Sequence, residues 1–184
     1  MFNAPNTLTL SRLALLPVIT ALFFLESQHG AVIAWICFGL YTFCAITDFL
    51  DGWIARKYNQ ISAFGTFLDP ISDKIFVGTL LILLVAFGRL DGLWVILPLI
   101  IFAREFLISG LREFLGPKNV KMPVTKLAKW KTTAQMVALG VLIPAPYIFE
   151  PYALLAGQAL LGIAALLTVM TGWSYLKASI EHLK

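Results

Sequence analysis

Apolar residues fill six stretches of the chain, at about 7–26, 31–56, 70–88, 91–115, 126–146 and 151–177. Each is close to the ~20 residues that cross a hydrocarbon core as a helix. Turn chemistry separates them: Gln28-His29-Gly30, Gly65, Gly88-Arg89, Gly116-Pro117 and Pro144-Ala145-Pro146. Asn6 or Thr7 is placed to cap the first helix. Asp69-Pro70 reads as a helix start, with Asp as N-cap and Pro at the first helical position. The pattern predicts an all-α integral membrane protein with six transmembrane helices. No repeat, low-complexity tract or linker interrupts it, so residues 1–184 form one expected domain. The first apolar run reads as a retained helix and not a cleaved signal, because only Arg12 is basic near it and no small-x-small site follows Glu26.

Composition agrees with lipid as the main solvent. Of 184 residues 59% are hydrophobic and 13% charged, and mean hydropathy is +0.85. The net charge of +4 is modest and calls for no nucleic-acid partner. Its distribution is more informative. Arg56, Lys57, Lys118, Lys121, Lys126, Lys129, Lys131, Lys177 and Lys184 fall at one set of helix ends, with Arg12 just inside the first helix. Glu26, Arg89, Asp91 and Glu150 fall at the other. Basic loops stay in the cytoplasm, so both termini are expected there, in a multi-pass protein of the cytoplasmic (inner) membrane. Cys37 and Cys44 share a helical face in an apolar run and read as buried thiols.

Against this background the segment TDFLDGWIARKYNQISAFGTFLDPISDK, from Thr47 to Lys74, stands out. Asp48 and Asp51 are three apart and Asp69 and Asp73 four apart, so each pair shares a helical face. Gly52 and Ala55 keep the Asp48 face open to close approach. Two helices joined by a short loop can turn four carboxylates toward one another. Such a cluster either protonates in part or holds cations, and hard oxygen ligands suit Mg²⁺, Mn²⁺ or Ca²⁺.

The pattern Asp48-x2-Asp51-Gly52-x2-Ala55-Arg56-x8-Gly65-x3-Asp69-x3-Asp73 resembles, without gap or substitution, the signature of the CDP-alcohol phosphotransferase family. The six-helix layout is similar as well. The resemblance implies that Asp48, Asp51, Asp69 and Asp73 bind two divalent cations, Mg²⁺ or Mn²⁺, and that Asp73 is also the general base. It implies that Gly52, Ala55, Arg56 and Gly65 shape the CDP-headgroup pocket, and that the protein is a homodimer. The expected chemistry is direct displacement of CMP by an alcohol at a site facing the cytoplasm. His29 and His182 lie at a loop and at the C-terminus, away from any covalent phospho-histidine role.

The second half bears on the acceptor. Arg104 and Glu105 lie well inside the fourth helix, and Arg112 is about 80° away from Arg104 around it. An arginine inside a membrane segment is a functional candidate, and its fork suits a phosphate. Lys126, Lys129 and Lys131 begin the fifth helix, so Arg104, Arg112, Lys126 and Lys131 are the expected acceptor-phosphate pocket. The alternatives are an Arg104–Glu105 structural pair and lysines that only set orientation. AREFLISGLREF and KTTAQM resemble the branch of the family that makes phosphatidylglycerophosphate, whose substrates are CDP-diacylglycerol and sn-glycerol 3-phosphate. Inositol phosphate, serine or phosphatidylglycerol as acceptor, or a cation or proton transporter, remain as other readings. NAPNTLTLSRL is similar to the family N-terminus. That likeness assigns Asn6 and Thr9 to the headgroup and Arg12 to the acceptor phosphate; the bland reading is capping by Asn6 and snorkelling by Arg12. Trp53, Trp94, Trp130 and Trp173 read as interface anchors.

Overall fold

With no water in a bilayer core, each peptide group must bond within its own segment, so long apolar runs become helices. The computed structural model describes residues 4–57, 62–116 and 126–183, and their side chains apart from those at 4–5, 27–28, 49, 51–56, 63, 126 and 180–183. It is all-α: α1 (Ala4–His29), α2 (Ala31–Lys57), α3 (Ala63–Ala86), α4 (Ile96–Leu115), α5 (Lys126–Leu142) and α6 (Tyr152–Leu183), with no strand among the described residues. Short 3-10 turns at Gly92–Val95 and Ala145–Tyr147 lead into α4 and follow α5. Gly30 alone joins α1 to α2. Its φ of 57° lies in the left-handed region, and its N–H bonds the Glu26 carbonyl at 2.8 Å.

Helix starts differ from expectation at two places. Ser62 caps α3, its Oγ accepting the Gly65 N–H at 2.9 Å, so Asp69-Pro70 lies inside the helix and not at its start. The extra turns are anchored to α1 by the Ser62–Asn6 and Thr9–Asp69 hydrogen bonds. These contacts offset the bond that Pro70 gives up. Likewise α1 begins before Asn6, which is buried at 2% exposure and is not its cap.

The helices alternate in direction. Glu26 at the end of α1 pairs with Arg89 after α3, whose Nε donates to the Ile143 carbonyl after α5 at 3.1 Å. Gln158 of α6 donates to the Arg89 carbonyl at 3.0 Å. Glu26 and Arg89, expected among the charges at this set of helix ends, are a buried pair at 5% and 3% exposure. The opposite end gathers the starts of α1, α3 and α5 and the ends of α2 and α4. Between the two ends Ile19, Phe23, Tyr41, Leu80, Leu84, Ile101, Leu139 and Leu161 form the core, and Cys37 and Cys44 are buried free thiols within it. The outside is apolar: Val32, Phe106, Leu166 and Trp173 are 66–69% exposed, the inverse of a water-facing surface. Trp130 is exposed to a similar degree.

Among the described residues, four segments are long and apolar enough to cross a membrane: Asn6–Glu26, Ala31–Asp48, Gly92–Leu115 and Tyr152–Ser179. The protein is a multi-pass membrane protein. The other two helices fall short on composition or length. Asp69, Asp73 and Lys74 load the first half of α3, and α5 has 17 residues with three lysines in its first two turns.

Candidate active site

Three helix ends meet around Arg12. Its side chain is 3% exposed, and Nη1 reaches Asp48 Oδ1 at 2.5 Å and Asp73 Oδ1 at 2.7 Å. One guanidinium nitrogen thus joins the end of α2 to the start of α3. Both carboxylates stay open to solvent, at 43% and 55% exposure. One turn before Asp73, Asp69 accepts the Thr9 hydroxyl at 3.0 Å. Asp48, Asp69 and Asp73 therefore line up against the first turns of α1. Asp51 shares α2 with Asp48, as do Gly52, Ala55 and Arg56; the side chains at these positions lie outside the described residues. Among the described residues no three carboxylate, histidine or cysteine groups converge as a ready metal cluster. The donor chemistry nevertheless fits a hard divalent cation. The carboxylates are half-exposed oxygen donors, and two of them already share one cationic nitrogen.

Gly65 is in contact with this group. A Cβ there would stand 2.6 Å from Asn6 Oδ1, closer than real Cβ contacts come, and Asn6 Oδ1 also accepts the Ser62 hydroxyl at 3.0 Å. The structure therefore packs Asn6, Thr9 and Gly65 beside the aspartates. Arg12 is buried against these aspartates.

The basic residues form a second, adjoining region. Arg104 donates to Glu105 at 3.1 Å and to the Thr171 hydroxyl at 3.2 Å, and its guanidinium lies 5.8 Å from the centre of the Tyr175 ring. Lys131 donates to the same Glu105 oxygen. Arg104, Arg112, Lys129 and Lys131 line a cavity of about 460 Å³ with Glu105, Thr132 and Tyr175. Arg104 thus makes the structural pair with Glu105 and lines the cavity too. Lys126 opens α5, its side chain outside the described residues. A smaller cavity of about 150 Å³ contains Asp73, Lys74, Glu105, Lys131 and Gln135. Glu105, Lys131 and Thr132 line both cavities, so the basic region adjoins the cavity at Asp73.

An apolar groove of about 710 Å³ runs between α2 and α5, past Leu50, Tyr41, Gly140 and Ile148. Met136 lines this groove and also the cavity at Asp48 and Asp73. Lipid-facing and carboxylate-lined spaces therefore adjoin. His29 is at the far end of α1, away from this region. His182 is on α6, its side chain outside the described residues.

The family model for CDP-alcohol phosphatidyltransferases matches residues 2–170. The chain belongs to this family. Among curated CDP-alcohol phosphatidyltransferases, a CDP-diacylglycerol–glycerol-3-phosphate 3-phosphatidyltransferase of Rickettsia bellii is 46% identical over 98% of this chain and 97% of its own length. Proteins of the same name from Cereibacter sphaeroides and Salmonella choleraesuis are 36% and 39% identical, over 100% and 97% of this chain and 98% and 95% of their own.

Several site residues had no sequence-level assignment. Ser62 stands three before the motif glycine, a capping spacing. Lys74 follows Asp73 directly and donates to Ser109 at 2.6 Å. Thr171 and Tyr175 come from α6 and carry no local signal.

Proposed function

We propose that this CDP-alcohol phosphatidyltransferase moves a phosphatidyl group from CDP-diacylglycerol to sn-glycerol 3-phosphate, giving phosphatidylglycerophosphate and CMP. The observation that carries this reading is the shared wall between the carboxylate region and the basic cavity. The donor pyrophosphate and the acceptor phosphate are both anions: the basic cavity suits the acceptor, and the carboxylates suit the donor through the cations they would hold, within reach of one another. Glu105, Lys131 and Thr132 border both spaces. The names of the full-length relatives support the same reaction.

Asp48, Asp51, Asp69 and Asp73 would hold two divalent cations, Mg²⁺ or Mn²⁺. Bound there, such a pair supplies charge stabilisation for the pyrophosphate and the departing CMP. The chain's own residues do the rest. Asn6, Thr9, Gly52, Ala55, Arg56 and Gly65 shape the headgroup pocket, where the Gly65 backbone leaves room beside Asn6. Asp73 accepts the proton of the attacking hydroxyl, helped by its exposure toward the cavity. Arg12 aligns Asp48 with Asp73. Arg104, Arg112, Lys126 and Lys131 take the acceptor phosphate, two guanidiniums able to grip it bidentately and two ammoniums acting as point charges. The tails of the donor lie along the groove between α2 and α5, whose lining is almost wholly apolar. No histidine among the described side chains serves as a covalent carrier, which favours single displacement.

All six helices span the inner membrane with the site and both termini toward the cytoplasm, residues 1–184 act as one domain, and the enzyme works as a homodimer. The test is direct. Detergent-purified protein is mixed with CDP-diacylglycerol, Mg²⁺ and labelled glycerol 3-phosphate, and label is followed into the lipid phase. Inositol phosphate and serine run in parallel, with chelator as control. Chelator-sensitive labelling from glycerol 3-phosphate alone is the expected result. Labelling only from another alcohol overturns the acceptor assignment.

A further inference from the structure

A carboxylate in a phosphate-binding cavity requires a reason, because like charges repel most where water is scarce. Glu105 is such a group. It pairs with Lys131 and Arg104, which accounts for part of its presence, since a buried lysine needs a counter-ion. Pairing does not account for its position. Glu105 keeps 27% side-chain exposure and stands on the wall shared by the two cavities. Any acceptor with its phosphate among the arginines and a hydroxyl at Asp73 must run past it.

Gln135 provides a second, independent observation. It lines the Asp73 cavity with Glu105 and is 6% exposed, yet its buried amide oxygen has no hydrogen-bond donor among the described residues. Buried polar atoms are rarely left this way, because an unmade hydrogen bond there is costly. A carboxylate and an amide oxygen on one small cavity are both acceptors. Of the two, the Gln135 oxygen is the one without a donor among the described residues, and the single proton of a hydroxyl lying beside Glu105 complements it.

We propose that Glu105 and Gln135 form a recognition pocket for the acceptor's second hydroxyl, the one that is not attacked. The inference rests on the phosphatidyl-transfer reading and deepens it. Glycerol 3-phosphate carries two hydroxyls on adjacent carbons. Holding the middle one against Glu105 and Gln135 turns the terminal one toward Asp73. The pair thus selects a vicinal diol phosphate and sets which oxygen attacks.

The experiment compares glycerol 3-phosphate with 3-hydroxypropyl phosphate, which lacks only the middle hydroxyl. Wild-type protein is expected to favour the diol in kcat/KM by about 10- to 100-fold, the range of one hydrogen bond to a charged group. Gln135→Met should lower that ratio by acting on the diol, whereas Glu105→Gln, which also loosens Lys131 and Arg104, should slow both acceptors but the diol more. A purely structural role would slow both acceptors equally and leave the ratio unchanged, which overturns the proposal. Gln135→Met removes an unpaired polar atom and keeps the side-chain volume, so it tests the pocket even where the Glu105 variant folds poorly. Equal use of the two acceptors by the wild type overturns the hydroxyl pocket alone. No labelling from either acceptor overturns the transferase reading and this one with it.

Discussion

Replacing Arg12 by alanine tests the frame on which the carboxylates are hung. Its Nη1 makes two charge-assisted contacts, at 2.5 Å to Asp48 and 2.7 Å to Asp73. Hydrogen bonds to charged groups contribute about 1.5–3 kcal/mol each when well desolvated. Here the carboxylates are 43% and 55% exposed, so solvent screening lowers each to about 0.5–1 kcal/mol. The pair of contacts then stabilises the bundle by about 1–2 kcal/mol, and losing both also leaves two carboxylates facing each other without compensation. Thermal melts in detergent should therefore show Arg12→Ala below wild type in chelator. Saturating Mg²⁺ should close much of the gap, because bound cations would take over the neutralising role. Arg12→Lys should fall between, retaining the charge without the fork. An equal loss with and without Mg²⁺ would assign Arg12 to packing alone. No loss in chelator would refute the two ion pairs.

Asp73→Asn should reduce turnover by at least about 100-fold, the low end for a general base, while CDP-diacylglycerol binding by calorimetry is weakened far less, because three aspartates remain to hold the cations; near-normal turnover would remove Asp73 from proton transfer. Arg112→Ala should raise the KM for glycerol 3-phosphate about 10-fold or more with a smaller effect on kcat, and an unchanged KM in a steady-state titration would count against the basic cavity. Gly65→Ala should weaken donor use, read as a higher KM for CDP-diacylglycerol, because the added methyl meets Asn6 Oδ1. Arg89→Ala should cost about 3–5 kcal/mol by leaving Glu26 buried and unpaired. Its denaturation midpoint should drop, while the KM values of whatever folds stay at wild type.

The helices were legible because lipid imposes a simple rule on composition. Their ends were less so, because tertiary contacts decide them. Asp69-Pro70 has the chemistry of a helix start, yet hydrogen bonds from Ser62 to Asn6 and from Thr9 to Asp69, across to another helix, carry α3 two turns further back. The motif aspartates were visible from spacing, which reports faces within one helix. That Asp48 meets Asp73 across two helices, through a buried Arg12, depends on packing that spacing does not contain. Glu26 and Arg89 read as ordinary loop charges because nothing local announces a partner 63 residues away. Arg104 and Glu105 were conspicuous for the opposite reason, two charges inside an apolar run. Lys131 and Gln135 were part of a recognisable string, but their placement beside Asp73 came only with the fold.

The Arg89 knot gives the bundle one dry, buried end, opposite one whose cross-links are open to solvent. Three interhelical connections are stitched together by Glu26, Arg89, Ile143 and Gln158, whereas the cross-links at the other end run through half-exposed carboxylates. The helices therefore resemble tweezers joined at the hinge. Admission of a headgroup and release of a nucleotide require only that the tips part, and the hinge keeps that parting from spreading down the shafts. Amide exchange in the first turns of α1 and α3 should be fast, and it should slow steadily toward Arg89.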